Sequence, residues 1–154
     1  MSLSDDLSTL LAADRVSTQA ADLEVAAHDE SSCPAVSPDV VVWALTTDEV
    51  SRVVRDAHDR NLPLTARGAG SSLEGNPIPV RGGIVLDLSR MTAIVEVHAD
   101  DLQVTVQPGI VYNQLNEQLK PHGLFFPPSP GGSSDVATIG GMVANNASGI
   151  YSVK

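Results

Sequence analysis

The spacing of apolar residues changes several times along the chain, and each change predicts an element. Leu7, Leu10 and Leu11, three and four apart, predict a short helix over Ser4 to Ala13. Residues 14–37 carry no clear period and read as another helical turn or two, then an irregular acidic stretch ending in Pro34 and Pro38. The unbroken apolar run from Val40 to Leu45 predicts a strand covered on both faces. Thr46, with Glu49 three residues on, forms a capping box, and Val50, Val53, Val54 and Ala57 then repeat on one helical face until Asn61 and Pro63. Leu62 to Ala66 follows as a second strand, so the strand, helix, strand order predicts a right-handed parallel crossover.

The pattern resumes after a loop. Ile84 to Leu88 reads as a third strand, and Ile94 to His98 with Leu102 to Val106 as a hairpin turning at Asp100-Asp101. In its second strand Leu102, Val104 and Val106 are expected to face the core, with Gln103 and Thr105 outward. Pro108-Gly109 breaks that strand, and Val111, Leu115 and Leu119 mark a helix that stops by Pro121. No internal repeat or low-complexity tract is visible.

Composition narrows the function. At 154 residues, 42% hydrophobic and with a mean hydropathy of +0.04, the chain suits one compact domain or part of one. Its formal net charge is −10, from 19 acids against 9 bases, and no basic cluster is present to release counterions from phosphates. Nucleic acid is therefore excluded as a partner, and an anionic membrane surface is a poor one. The first 27 residues have acids where a signal peptide needs bases and no apolar run of spanning length. No transmembrane segment is expected, and a cytoplasmic location is. Cys33 is the only cysteine, which rules out an internal disulfide or a cysteine-based zinc site within one chain and reads as a spectator thiol.

All twelve glycines lie between Gly68 and Gly149, so the candidate chemistry sits after residue 66. The segment from Arg67 to Gly75 follows a strand and offers three glycines, two hydroxyls and a cation. Successive N–H groups in such a loop can converge on an anion, each charge-assisted bond contributing about 1.5–3 kcal/mol. Two familiar phosphate loops fail against it. Leu73 stands where the dinucleotide fingerprint needs its third glycine, with Pro77 and Pro79 forbidding the helix that follows. Asn76-Pro77 replaces the Lys and Ser/Thr of a Walker A loop. A tight connection without a ligand stays open on this segment alone. The second glycine-bearing stretch, Phe126 to Gly132 and then Ala137 to Gly149, suits a short helix or turn against a flat ligand, its early N–H groups free for an anion; a tight turn beneath a core helix is the alternative.

Taken together, Arg67 to Gly75, Val106 to Gly109, Phe126 to Gly131 and Ala137 to Gly149 resemble the FAD-linked oxidase family over Pro38 to Lys154, and within it D-lactate dehydrogenases and the flavin subunit of glycolate oxidase. The resemblance implies an α+β fold, the two-subdomain FAD-binding fold of the p-cresol methylhydroxylase type with an incomplete second subdomain. Residues 1–37 would be a helical extension, 38–90 the first subdomain and 91–154 the start of the second. It implies that Gly68, Ala69, Gly70, Ser71, Ser72 and Gly75 cradle the FAD pyrophosphate, with Arg67 bracing the loop. Pro128, Ser129, Gly131, Thr138, Gly140, Gly141, Asn145 and Gly149 would line the flavin and its ribityl-phosphate arm. Ser71 stands where threonine is usual, Ser129 where aspartate is common and Ala44 where proline is usual. No histidine falls in either glycine motif, so the flavin is expected to be non-covalent.

The resemblance implies oxidation of a 2-hydroxy acid, which needs a base near the hydroxyl and cations for the carboxylate. His28, His58, His98 and His122 have no motif around them and read as surface or packing residues, so no catalytic residue and no metal ligand is assigned. The expectation is a portion of a flavoenzyme, a truncated product or one part of a split enzyme, inactive alone and holding FAD weakly or not at all. Losing ~4 kcal/mol of contacts weakens binding about a thousandfold. Its expected partners are FAD, the rest of the flavoenzyme or a complementary subunit, and a second copy through exposed apolar surface. The alternative is a non-catalytic module keeping the fold for another nucleotide or for a partner protein.

Overall fold

The computed structural model describes residues 2–151, the side chain of Tyr151 apart. The chain divides into two compact units, Met1–Arg90 and Met91–Lys154.

The first unit is a four-stranded sheet with helices. Its elements are α1 (Leu3–Leu10), β1 (Val16–Ser17), α2 (Ala20–Ala26), β2 (Val40–Trp43), α3 (Thr47–Asp59), β3 (Leu64–Arg67) and β4 (Ile84–Asp87). The strand order is β1-β2-β4-β3. β2 and β3 are parallel to β4 and flank it, so the strands on either side of α3 do not pair with each other. β1 pairs antiparallel with β2 at the other edge. The first 37 residues, read as a helical extension, thus also supply a strand. Val40, Val41, Val42, Ile84, Val85 and Leu86 are all buried, which is why both central strands read as unbroken apolar runs. Leu23 and Ala26 of α2 pack with Val41 and Val85, and Val53 and Ala57 of α3 are buried likewise. Each such side chain contributes about 1.5–3 kcal/mol by leaving water.

Local chemistry fixes the ends. Thr46 accepts a hydrogen bond from the Glu49 amide at 3.2 Å, and the Glu49 carboxylate turns back to the amides of Leu45, at 2.8 Å, and Thr46. That is the capping box read from the sequence, with a further partner: Arg15 reaches the same carboxylate at 2.6 Å. α1 ends three residues earlier than its spacing suggests, because Leu11 adopts an extended conformation, yet Leu7 and Leu11 are both buried.

The second unit holds the hairpin β5 (Ile94–His98) and β6 (Gln103–Val106), then α4 (Tyr112–Leu119) and α5 (Ile139–Ala144). Its core is Ile110, Tyr112, Leu115, Leu119, Ala137, Ile139 and Met142, with Val104, Val106 and Phe126 packed against it. The hairpin corrects one expectation. Leu102 does not face the core: it is the last residue of the turn, at φ 54°, and 75% exposed. The turn runs from Ala99 to Leu102, two residues wider than Asp100-Asp101, so alternation begins at Gln103. Val111 likewise sits before α4, as its cap and in a bridge to Thr138. Among the described residues no helix is long and apolar enough to cross a membrane.

Candidate functional site

In the first unit the site begins where β3 ends. Arg67 is its last residue, and its backbone carbonyl accepts from Leu88 at 2.8 Å. Its guanidinium folds beneath the loop it precedes. A Cβ on Gly70, at φ 72°, would lie on that guanidinium, so glycine is required there both for the backbone conformation and for the close approach. Arg67 is 7% exposed and donates to the His28 carbonyl at 2.9 Å. Burial lowers its pKa, opposed by the carboxylates of Asp87 and Asp29. The guanidinium is thus an internal support for the loop's start.

Beyond it, the amides of Gly68, Ala69, Gly70, Ser71 and Ser72 donate no hydrogen bond among the described residues. Five successive donors with no protein acceptor suit an anion with several oxygens. Several later groups of the loop are committed to protein partners. The Gly75 amide donates to Asp29 at 2.9 Å, and the Ser72 hydroxyl accepts from the Glu74 amide and donates to Asp29. Ser72 also accepts, through its carbonyl, from the Glu30 amide at 3.1 Å.

Asp29 was not singled out by the sequence. It is buried, and burial alone would push its carboxyl up. Hydrogen bonds from Ser31, Gly75 and Ser72 together outweigh this and hold it below the usual carboxylate range. The signal that could have found it is the Asp-x-Ser spacing of Asp29 and Ser31, in which the carboxylate accepts from the amide two residues on, at 2.9 Å. Nothing in that spacing foretells Gly75, 46 residues away.

In the second unit the remaining candidates form two groups. Thr138, Gly140 and Gly141 lie at the start of α5, beside the Pro108-Gly109-Ile110 turn. A Cβ on Gly140 would come within 2.6 Å of Pro108 Cβ. The early amides of α5 were expected to be free for an anion, and two are not: Ile139 donates to the Ile110 carbonyl at 2.9 Å and Gly140 to the Pro108 carbonyl at 2.8 Å. The close approach that glycine permits here serves packing between the two turns. Thr138 is buried, while Gly141 and Asn145 are exposed. The second group joins Pro128, Ser129 and Gly131 to Gly149. Ser129 donates to the Ser148 carbonyl at 3.0 Å, its hydroxyl accepts from Gly131, and Gly149 lies against its backbone. The four histidines are all exposed, and no metal-ligating cluster occurs among the described residues.

The comparisons bear on what these motifs hold. The FAD binding domain family matches residues 38–154. The mitochondrial D-lactate dehydrogenase [cytochrome] of Arabidopsis thaliana is 38% identical over 117 residues, covering 76% of this chain and 20% of the relative. The glycolate oxidase subunit GlcD of Bacillus subtilis is 36% identical over 117 residues, covering 76% and 25%. The chain therefore spans a fifth to a quarter of the length of these curated relatives. Among solved structures, alkyldihydroxyacetonephosphate synthase superposes with a TM-score of 0.86 at 23% identity, over 96% of this chain and 30% of its own. p-Cresol methylhydroxylase with substrate bound gives 0.74 at 24% identity, over 93% and 28%. Both likenesses show the fold, the α+β fold of the p-cresol methylhydroxylase type. The chain belongs to the FAD-binding domain family, with D-lactate dehydrogenases and a glycolate oxidase subunit among its relatives, and FAD is its cofactor.

Proposed function

We propose that the first unit grips the pyrophosphate of FAD through the amides that follow Arg67, in a flavin-dependent oxidoreductase acting on a 2-hydroxy acid of the D-lactate or glycolate type. The observation that carries the reading is the run of unpartnered amides from Gly68 to Ser72 above a buried guanidinium. Donors of this kind recognise a diphosphate without needing surface cations, which suits a chain of net charge −10. Since the Ser72 hydroxyl and the Gly75 amide are bonded to Asp29, the grip itself falls to the amides of Gly68, Ala69, Gly70, Ser71 and Ser72, with Arg67, the Ser72 hydroxyl and Gly75 shaping the loop.

The flavin and its ribityl-phosphate arm are assigned to Pro128, Ser129, Gly131, Thr138, Gly140, Gly141, Asn145 and Gly149 of the second unit. Of these only Thr138 is buried; Gly131, Gly141, Asn145 and Gly149 are exposed and Pro128, Ser129 and Gly140 half-buried. Bound FAD supplies the two-electron acceptor for hydride removal from the carbon bearing the hydroxyl. This chain's contribution is binding and orientation. Its exposed histidines offer no positioned base, so by itself it is proposed to hold FAD weakly and to turn over no substrate, with the remainder of a flavoenzyme or a complementary subunit as its partner. A cytoplasmic location belongs to the same proposal; some relatives carry names that place them in mitochondria.

The test is thermal unfolding of the 154-residue chain with FAD, FMN, ADP or ATP in excess. A ligand that binds only the folded state raises the melting temperature. A rise with FAD beyond that with FMN or ATP supports the reading. Equal responses to all four, or none to FAD, would refute it.

A further inference from the structure

We propose that Asp29 is a positioning residue for FAD: its carboxylate pins the far end of the loop and so holds the free amides of Gly68 to Ser72 in a diphosphate-ready conformation. The inference rests on the loop reading above and extends it to a residue outside the segment 38–154 that the family match covers.

The segment His28–Glu30 touches the loop at its start, near its middle and at its end. The His28 carbonyl takes a hydrogen bond from Arg67 at 2.9 Å, the Glu30 amide donates to the Ser72 carbonyl at 3.1 Å, and Asp29 takes the Gly75 amide at 2.9 Å. Asp29 also accepts from the Ser72 hydroxyl, while its other oxygen is held by the Ser31 amide at 2.9 Å, so the carboxylate cannot swing away. Between these anchors lie amides with no partner among the described residues. A glycine-rich loop left unpinned would sample many conformations, and binding would have to order it at the expense of affinity. Asp29 fixes the loop before the ligand arrives. It also stands beside Arg67 as one of its two counter-charges, with Asp87, so its removal loosens the loop's start as well as its end.

A carboxylate that merely stabilises the unit would behave differently. Glu49 is the internal comparison: it is equally buried and is bonded to Arg15, Leu45 and Thr46, none of them in the loop. The experiment titrates FAD into the full chain and into Asp29→Asn, Asp29→Glu and Glu49→Gln. Each variant's ligand-free melting temperature and the hydrogen exchange of the Gly75 amide are followed alongside. Loss of a charge-assisted pin predicts FAD affinity weaker by about tenfold or more in both Asp29 variants. Gly75 exchange should also be faster. Glu49→Gln should melt lower yet bind FAD within about twofold of the parent chain. Should Asp29→Asn fail to fold, Asp29→Glu, which keeps the charge but displaces it, decides the matter. FAD affinity within about twofold of the parent in the folded Asp29 variants overturns the proposal while leaving the loop reading standing. So does an equal loss in Glu49→Gln, which would make the effect general destabilisation. Absence of any FAD response in the parent chain removes the loop reading, and this proposal with it.

Discussion

Replacing Glu49 by Gln should destabilise the first unit at neutral pH by an amount that vanishes in acid. The Arg15 hydrogen bond, aided by the Leu45 and Thr46 amides and opposed by burial, holds the Glu49 carboxyl down from 4.5 to about 2. Both partners of the ion pair are only 12–13% exposed, so solvent screens the pair little. At about 1.4 kcal/mol for each pH unit, that depression corresponds to roughly 3 kcal/mol of stability at pH 7. The folded state binds the proton less readily than the unfolded one. The contribution is therefore complete above pH 4.5 and is lost as pH falls through about 2. Gln keeps the shape and one acceptor oxygen but leaves Arg15 without its counter-charge. Urea denaturation of both chains at intervals between pH 7 and pH 2 gives the difference directly, and titration of the other carboxylates largely cancels in it. The expected difference is roughly 2–3 kcal/mol at pH 7, shrinking steadily below pH 4.5. A difference of that size that persists unchanged to pH 2 would mean that packing, and not ionisation, sets the role of Glu49.

Gly70→Ala places a Cβ on the Arg67 guanidinium at a φ of 72°, and should weaken FAD binding by about tenfold or more, read by flavin fluorescence titration. Gly140→Ala and Gly141→Ala form a matched pair in α5. The first drives a Cβ to 2.6 Å from Pro108 and should cost about 1–3 kcal/mol in chemical denaturation; the second meets only the Thr138 hydroxyl, at 3.3 Å, and should fall within about 0.5 kcal/mol of the parent chain. Leu102→Gly should stabilise the second unit. The left-handed conformation costs leucine roughly 1–2 kcal/mol and glycine's looser unfolded state gives back about 0.5–1, so a net gain of about 0.5 kcal/mol in urea is expected.

What could be read from the sequence was what local spacing determines. The α3 helix with its Thr46 cap and the buried centres of β2 and β4 follow from residues within a few positions of one another and stand as read, whereas Val54, read on the apolar face, and Leu45, read inside the strand, are exposed. The insertion of β4 between β2 and β3 is a matter of pairing between distant segments, and no local period encodes it. β1 is two residues long, too short for alternation to register. Leu102 misled because an apolar residue in step with Val104 and Val106 mimics a strand position, whereas the turn geometry assigns it to the left-handed corner. The candidate loop divided in the same way. Its glycines announced a backbone that must bend, but the pins that hold the bend, Asp29 and the His28 carbonyl, come from 39 to 46 residues upstream.

Those pins also change the meaning of the acidic composition. Read as a count, 19 acids describe a surface that should repel a dinucleotide. Read by partner, several of them are internal acceptors that fix the backbone around the loop and the sheet. Asp29 takes the Gly75 amide, Asp39 the Gly83 amide, Asp87 the Ser89 amide and Glu49 the Leu45 amide. A carboxylate that has accepted two or three backbone donors offers less field to an approaching phosphate, and each amide so held is removed from competition for it. The amides from Gly68 to Ser72 are contiguous and have no such partner among the described residues. On this view the negative charge near the loop is part of the means by which a small set of neutral donors is kept ordered and unpaired. An acidic chain can then bind a diphosphate without a cationic surface, and raising the salt concentration should weaken FAD binding far less than it would for a site built on exposed Lys and Arg.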